Sequence, residues 1–277
     1  MWRAGSTWCA QACIQFSGVL ALVGLCYFQR YMFFRNFRMA AWRVGGVAAL
    51  GLALCAGAQA EAVAAHSVPD TLGQRLMACT LCHGKEGRAT NTGFFPRIAG
   101  KPEGYLYHQL RHFRDGRRNN AGMTALLDTL SDAYLREIAA HFSRLDLPYP
   151  PPAPSSASQA TLAQGARLVR EGDASRDLPA CAACHGEALT GVAPNVPGLL
   201  GLPRDYLVGQ LGGWQTGLRR AFEPDCMAHV AKGLAPEEVS AVADWLASQP
   251  LPANPHPVQA LPAPMPLRCG VASEVAK

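Results

Sequence analysis

The chain writes one unusual motif twice. Cys79-x-x-Cys82-His83-Gly84 returns as Cys181-x-x-Cys184-His185-Gly186, about a hundred residues later. The residues that follow each motif are also repeated in order. Pro96 and Gly100 correspond to Pro197 and Gly201, and Tyr105, Leu106, Gln109 and Leu110 to Tyr206, Leu207, Gln210 and Leu211. Met123 then matches Met227, and Leu130, Ile138 and Ala139 match Leu234, Val242 and Ala243. Such a duplication confines the fold to two similar units, each with its own small core.

Residues 148–160 separate the copies. Pro148, Pro150, Pro151, Pro152 and Pro154 give this linker polyproline stiffness, and the serines after them loosen it. The expected domains are therefore 61–147 and 161–250, followed by a Pro-rich surface tail over 251–277. Within each copy the apolar residues recur at helical spacing. Pro102 opens a helix with Leu106, Leu110 and Phe113 on one face, ended by Gly116; Pro203, Leu207, Leu211, Trp214 and Gly217 repeat the pattern. Ser131 is placed to cap the last helix of the first copy, while Pro236, Glu237 and Glu238 suit the first turn of its counterpart. No run of alternating strand residues stands out, so the expected class is all-α, in two tandem domains.

Export is written into residues 39–60. Met39 to Arg43 form a short positive region, Val44 to Ala56 an apolar run, and Ala58 and Ala60 frame an A-x-A cleavage site. Cys55 raises lipidation as a rival, but Leu54 precedes it where lipoprotein processing needs a small residue. For residues 1–38 two readings stand. Translation begins near Met32 or Met39, or the apolar segment 14–28 is an additional membrane anchor, although short for a span. The formal charge of +5 comes from five arginines in the first 60 residues; the rest has 20 basic and 20 acidic groups. A neutral mature chain has no electrostatic footing for nucleic-acid binding.

The repeated motif is the attachment signature for c-type haem. Its two cysteines match the spacing of the haem vinyl groups, and the adjacent histidine reaches the iron. A redox dithiol would call for a βαβ setting that is not seen. A zinc site shared by two pairs a hundred residues apart fits less well than two equivalent sites. The expected cofactors are two covalent haem c groups, held by Cys79, Cys82 and His83 and by Cys181, Cys184 and His185. Met123 lies 40 residues after His83 and Met227 lies 42 after His185, each expected on a loop ahead of its copy's last helix. These methionines are the candidate sixth ligands, soft neutral donors that favour ferrous iron. His108, His112, His141 and His229 are the rivals. None of the four recurs in both copies, and His108 and His112 are expected on a helix surface.

Other residues carry two readings each. Pro96 and Pro197 either shape a loop or offer a carbonyl to the proximal histidine's second ring N–H. Tyr105, Tyr206 and Trp214 either line haem edges or fill the core. Cys226 and Cys269 are left over, which suits a disulfide tying the tail to the second domain. Arg111, Arg114, Arg117 and Arg118 make the one basic cluster, read as a solvated helix face or as a docking patch for an acidic partner.

On these motifs, over roughly residues 66–250, the chain resembles the dihaem cytochromes c4. The resemblance implies two class I cytochrome c domains packed together, His/Met iron in both, and a soluble or loosely membrane-associated carrier in the bacterial periplasm. It also implies delivery of electrons toward a terminal oxidase, with redox protein partners that are a membrane oxidase, a quinol-oxidising complex or a dehydrogenase. With both axial positions filled, iron has no open site, which disfavours the rival reading as a dihaem peroxidase. A cytochrome subunit permanently bound to a dehydrogenase remains the alternative.

Overall fold

The computed structural model describes residues 69–90, 93–152 and 154–273. The expected leader, signal peptide and first four cysteines lie outside the described residues. Among those described, no helix is long and apolar enough to cross a membrane.

The first half begins with a short helix α1 (Leu72–Arg75), capped by the Thr71 hydroxyl, and runs almost directly into α2 (Met77–His83). After the proximal loop come α3 (Glu103–Arg114), α4 (Ala121–Leu127) and α5 (Asp132–Ser143). Pro102 stands at the N-cap of α3, and Ser131 caps α5 by accepting from the Tyr134 N–H at 3.2 Å. Helix α3 packs on α4 and α5. Their apolar faces meet in a core of Leu76, Leu106, Phe113, Leu127, Leu135, Ile138, Ala139 and Phe142. The repeat-matched residues Ile138 and Ala139 are thus interior, as a 3.6-residue period requires.

The second half opens with α6 (Gln159–Arg170), capped by Ser158, and continues through α7 (Cys181–His185) to α8 (Arg204–Gln215), α9 (Cys226–Lys232) and α10 (Pro236–Ser248). Helix α6 lies so close against α10 that a Cβ on Gly165 would sit 2.1 Å from the Ala241 carbonyl oxygen. The core repeats that of the first half, with Leu207, Leu234, Val242 and Ala243 in the matched places. Pro236 takes the first position of α10, and the Glu238 carboxylate accepts from the Ala235 N–H at 2.9 Å.

A small strand element departs from the all-helical expectation. β1 (Gly191–Val192) pairs antiparallel with β2 (Val196–Pro197), and tail residue Val258 adds alongside β1. The Val258 N–H donates to Gly191 and its carbonyl accepts from Ala193, at 3.0 and 2.8 Å. Two-residue strands are too short to leave a period-2 signature. The tail ends in a helical turn, α11 (Gly270–Ser273), fastened by the Cys226–Cys269 disulfide. The tail therefore lies against the second half, with its Cys269 paired to Cys226 at the start of α9.

Candidate functional site

Both C-x-x-C-H motifs are helical, which puts the two cysteines of each pair one turn apart on the same face. All four of these thiols are free. Burial pushes the Cys181 thiol up to about 11 and raises that of Cys79. The glycine after each histidine ends the helix at once, with φ of 76° at Gly84 and 82° at Gly186. A Cβ at Gly84 would also meet the Ala89 carbonyl oxygen at 2.2 Å, so only glycine fits this turn.

The turn leaves each histidine buried, 7 % exposed in both halves, facing the following loop. There His83 Nδ1 lies 2.8 Å from the Pro96 carbonyl and His185 Nδ1 lies 2.7 Å from that of Pro197. A carbonyl can only accept, so the ring proton sits on Nδ1 and the lone pair on Nε2 is free for a metal. Burial moves both imidazoles below the ordinary histidine range, which keeps them neutral. Of the two readings for the prolines, the carbonyl acceptor is the one the geometry supports.

Met123 and Met227 sit in the first turns of α4 and α9, not on loops. Asn120 and Asp225 cause this: the Asn120 side chain accepts from the Met123 N–H at 3.0 Å, and Asp225 from the Ala228 N–H at 3.0 Å. Met123 packs against the same core as Cys79. Among the rival ligands, His229 is turned away, its Nε2 3.0 Å from the Asp177 carbonyl.

His108 and His112 correct the expectation of a helix surface. They are 5 % and 1 % exposed, because Phe222 from the second half covers them, with ring centroids 5.5 and 4.7 Å away. The basic cluster is half-buried rather than fully solvated. Arg111 and Arg117 stack on that same Phe222, and Arg114 pairs with Asp132 at 2.7 Å.

Arg118 belongs to a seam that sequence reasoning missed. It forms an antiparallel bridge with its repeat partner Arg219. The Gln210 side-chain oxygen accepts from Arg118 and Arg219 at 2.6 and 2.8 Å, and that of Gln109 from the same two at 3.0 and 2.9 Å. Arg118 also reaches the Tyr206 hydroxyl at 3.2 Å. The matched Gln and Tyr positions were visible as a repeat, but nothing in their spacing said that the copies meet there. Burial pushes the Arg219 guanidinium down to about 10, still a cation at neutral pH. The described partners of Arg118 and Arg219 are amides, phenols and rings, without a carboxylate. Trp214 Nε1 beside Arg219 is buried and makes no hydrogen bond among the described residues. Cations and a donor gathered in this way suit the propionates of two haems.

Among the described residues no group of three or more His, Cys, Asp or Glu side chains is gathered as a metal cage. The donor sets instead fit c-type haem: paired thiols, a neutral oriented imidazole and a matched thioether in each half.

No protein-family model matches the chain. It is 40 % identical over 174 residues to a thiosulfate dehydrogenase electron acceptor from Thiomonas intermedia, covering 79 % of that protein and 63 % of this one. It is 31 % identical over 186 residues to cytochrome c4 of Pseudomonas aeruginosa, covering 90 % of that protein and 66 % of this chain. Among solved structures, it matches thiosulfate dehydrogenase (TsdBA) from Marichromatium purpuratum with a TM-score of 0.56 and 33 % identity. That match covers 62 % of this chain and 36 % of the other.

Proposed function

Because the chain belongs to the cytochrome c4 family of dihaem electron-transfer proteins, we propose that it takes electrons from a periplasmic thiosulfate dehydrogenase and passes them toward a terminal oxidase. When bound, haem c supplies one-electron iron chemistry at each site. The observation that carries the site assignment is the histidine lock, made twice by the same atoms at 2.8 and 2.7 Å.

In this reading Cys79 and Cys82 hold the first haem and His83 and Met123 its iron. Cys181 and Cys184 hold the second, with His185 and Met227 on the metal. The proline carbonyls fix each imidazole and raise its basicity. The methionine thioethers would complete each donor set, and iron held by His and Met would supply outer-sphere electron transfer rather than substrate binding. Arg118, Arg219 and Trp214 receive the propionates at the seam between 61–147 and 161–250. Placement in the periplasm rests on the export signal over 39–60.

The test mixes oxidised holoprotein with a thiosulfate dehydrogenase and thiosulfate in a stopped-flow spectrometer. Reduction of both haems at a rate set by dehydrogenase concentration is the expected result. A protein that stays oxidised while small-molecule reductants reduce it would sink the donor assignment. Similarity to part of TsdBA also favours a second reading, a stable complex with the dehydrogenase; co-elution of the two proteins in gel filtration distinguishes it from a free carrier.

A further inference from the structure

Lys101 is a buried cation in the first half that the ligand assignment does not use. It is 5 % exposed, and its ammonium donates to the Gly198 carbonyl of the second half at 3.5 Å. Gly198 follows Pro197, whose own carbonyl holds His185. The contact is part of a clamp. The Tyr105 N–H donates to the Pro194 carbonyl at 3.0 Å, and a Cβ on Gly104 would meet Asn195 Oδ1 at 2.1 Å. The stretch from Lys101 to Tyr105 is therefore pressed onto the second proximal loop.

The repeat makes this contact one-sided. Counting from the matched prolines, the counterpart of Lys101 is Leu202, and the counterpart of Gly198 is Arg97. Arg97 is bound elsewhere, its guanidinium stacked on Tyr149 at 3.9 Å and donating to the Ala99, Leu147 and Pro148 carbonyls. Lys101 is the charge whose field is felt at the His185 ring, whereas the charge acting on His83 is Arg118 of its own half. Burial, and then repulsion by Arg97, pushes the ammonium down to about 8, so below neutral pH it is charged.

We propose that Lys101 is a cross-domain electrostatic control on the second haem: its fixed positive charge behind the His185 loop raises that haem's reduction potential and biases the shared electron toward the second half. This rests on His185 being the second iron's ligand. A unit charge roughly 10 Å from a redox centre, at an effective dielectric near 20, is worth about a factor of ten in an equilibrium constant. The electron's distribution between the two haems would change by that factor, which for a one-electron couple is about 59 mV.

Spectroelectrochemistry of the dihaem holoprotein, below neutral pH, reads both midpoints. The second haem's wave is the one left in place by Met123→His, which displaces the first. Lys101→Met keeps length and burial but removes the charge, and should lower the second wave by about tenfold in equilibrium constant while moving the first much less. Lys101→Arg should hold the second wave near its original position. If Lys101→Met does not assemble, Lys101→Gln is read the same way. A second wave unmoved by loss of the charge overturns the proposal, as does an equal shift of both waves. It is also overturned if Lys101→Arg lowers the second wave as far as Lys101→Met, since packing would then be the cause. A parent protein lacking two Met-ligated haems would instead overturn the ligand assignment, a separately readable outcome.

Discussion

The two halves share their haem motif, proximal lock and methionine, yet they are built into the molecule differently. In the first half the motif helix is exposed: Leu81 between the two cysteines is 81 % accessible and Met77, one turn earlier, 51 %. Their counterparts are Ala183 and Pro179, and the second motif sits beneath the long helix α6 with the tail strand against its loop. The second half also carries a disulfide immediately before Met227, while nothing covalent holds Met123. The duplicated unit thus supplies the chemistry of a site. Its surroundings decide how open and how rigid that site is, which is how one ligand set can serve two roles.

The largest effect is expected at the methionines. Met123→Ala and Met227→Ala should each abolish about half of the methionine-to-iron charge-transfer absorbance and open one iron to cyanide, because a thioether is the only soft donor proposed there. A full band after either change would remove that residue from the ligand set.

The disulfide comes next. Closing a loop between residues 43 apart stabilises by up to about 4 kcal/mol through chain entropy. Cys269→Ser should lower the denaturant midpoint for loss of the second haem's methionine band by that order, with the first band following its original course. Equal loss of both bands would mean that the halves unfold as one unit.

A smaller difference is expected in acid. The Arg176 guanidinium holds the Glu238 carboxyl below its usual range, as Arg114 does for Asp132 in the first half. A depressed carboxylate adds stability above its unfolded pKa of about 4.3, lost as pH falls through the folded value. The Glu238 side chain is 11 % exposed against 52 % for Asp132, so acid should destabilise the second half more steeply. Glu238→Gln should flatten the decline in thermal midpoint below about pH 4. An unchanged slope would show that the pair contributes nothing.

The smallest effect is expected at Leu81→Ser. A side chain so exposed has little to lose, and stability should change by no more than about 0.5 kcal/mol. A larger loss would mean that the helix face is covered in solution, contrary to the contrast drawn between the halves.

Much of the candidate site was legible because its parts are local or repeated. The spacing of Cys79, Cys82 and His83 matches the attachment motif, and Met123 and Met227 stand out as candidates by recurring in register. The helices were readable from Leu106, Leu110 and Phe113 and their counterparts. His108 and His112 misled for a physical reason. They lie off the apolar face of α3, which ordinarily means solvent, but the second half lays Phe222 over them. Placing the methionines on loops failed because one-turn caps by Asn120 and Asp225 are weak signals beside a long amphipathic period.

Two equivalent candidate sites, the side chains that offer sulfur and imidazole to each, and a mostly helical chain could all be read from the sequence. Motif spacing and hydrophobic period encode such features within one segment. That Arg118 faces Arg219, that Cys226 meets Cys269, and that Lys101 reaches the loop behind His185 follows from the packing of the folded chain. Those pairings join residues far apart in the chain. No local period records them; they exist because packing two copies of one unit brings their non-equivalent residues together.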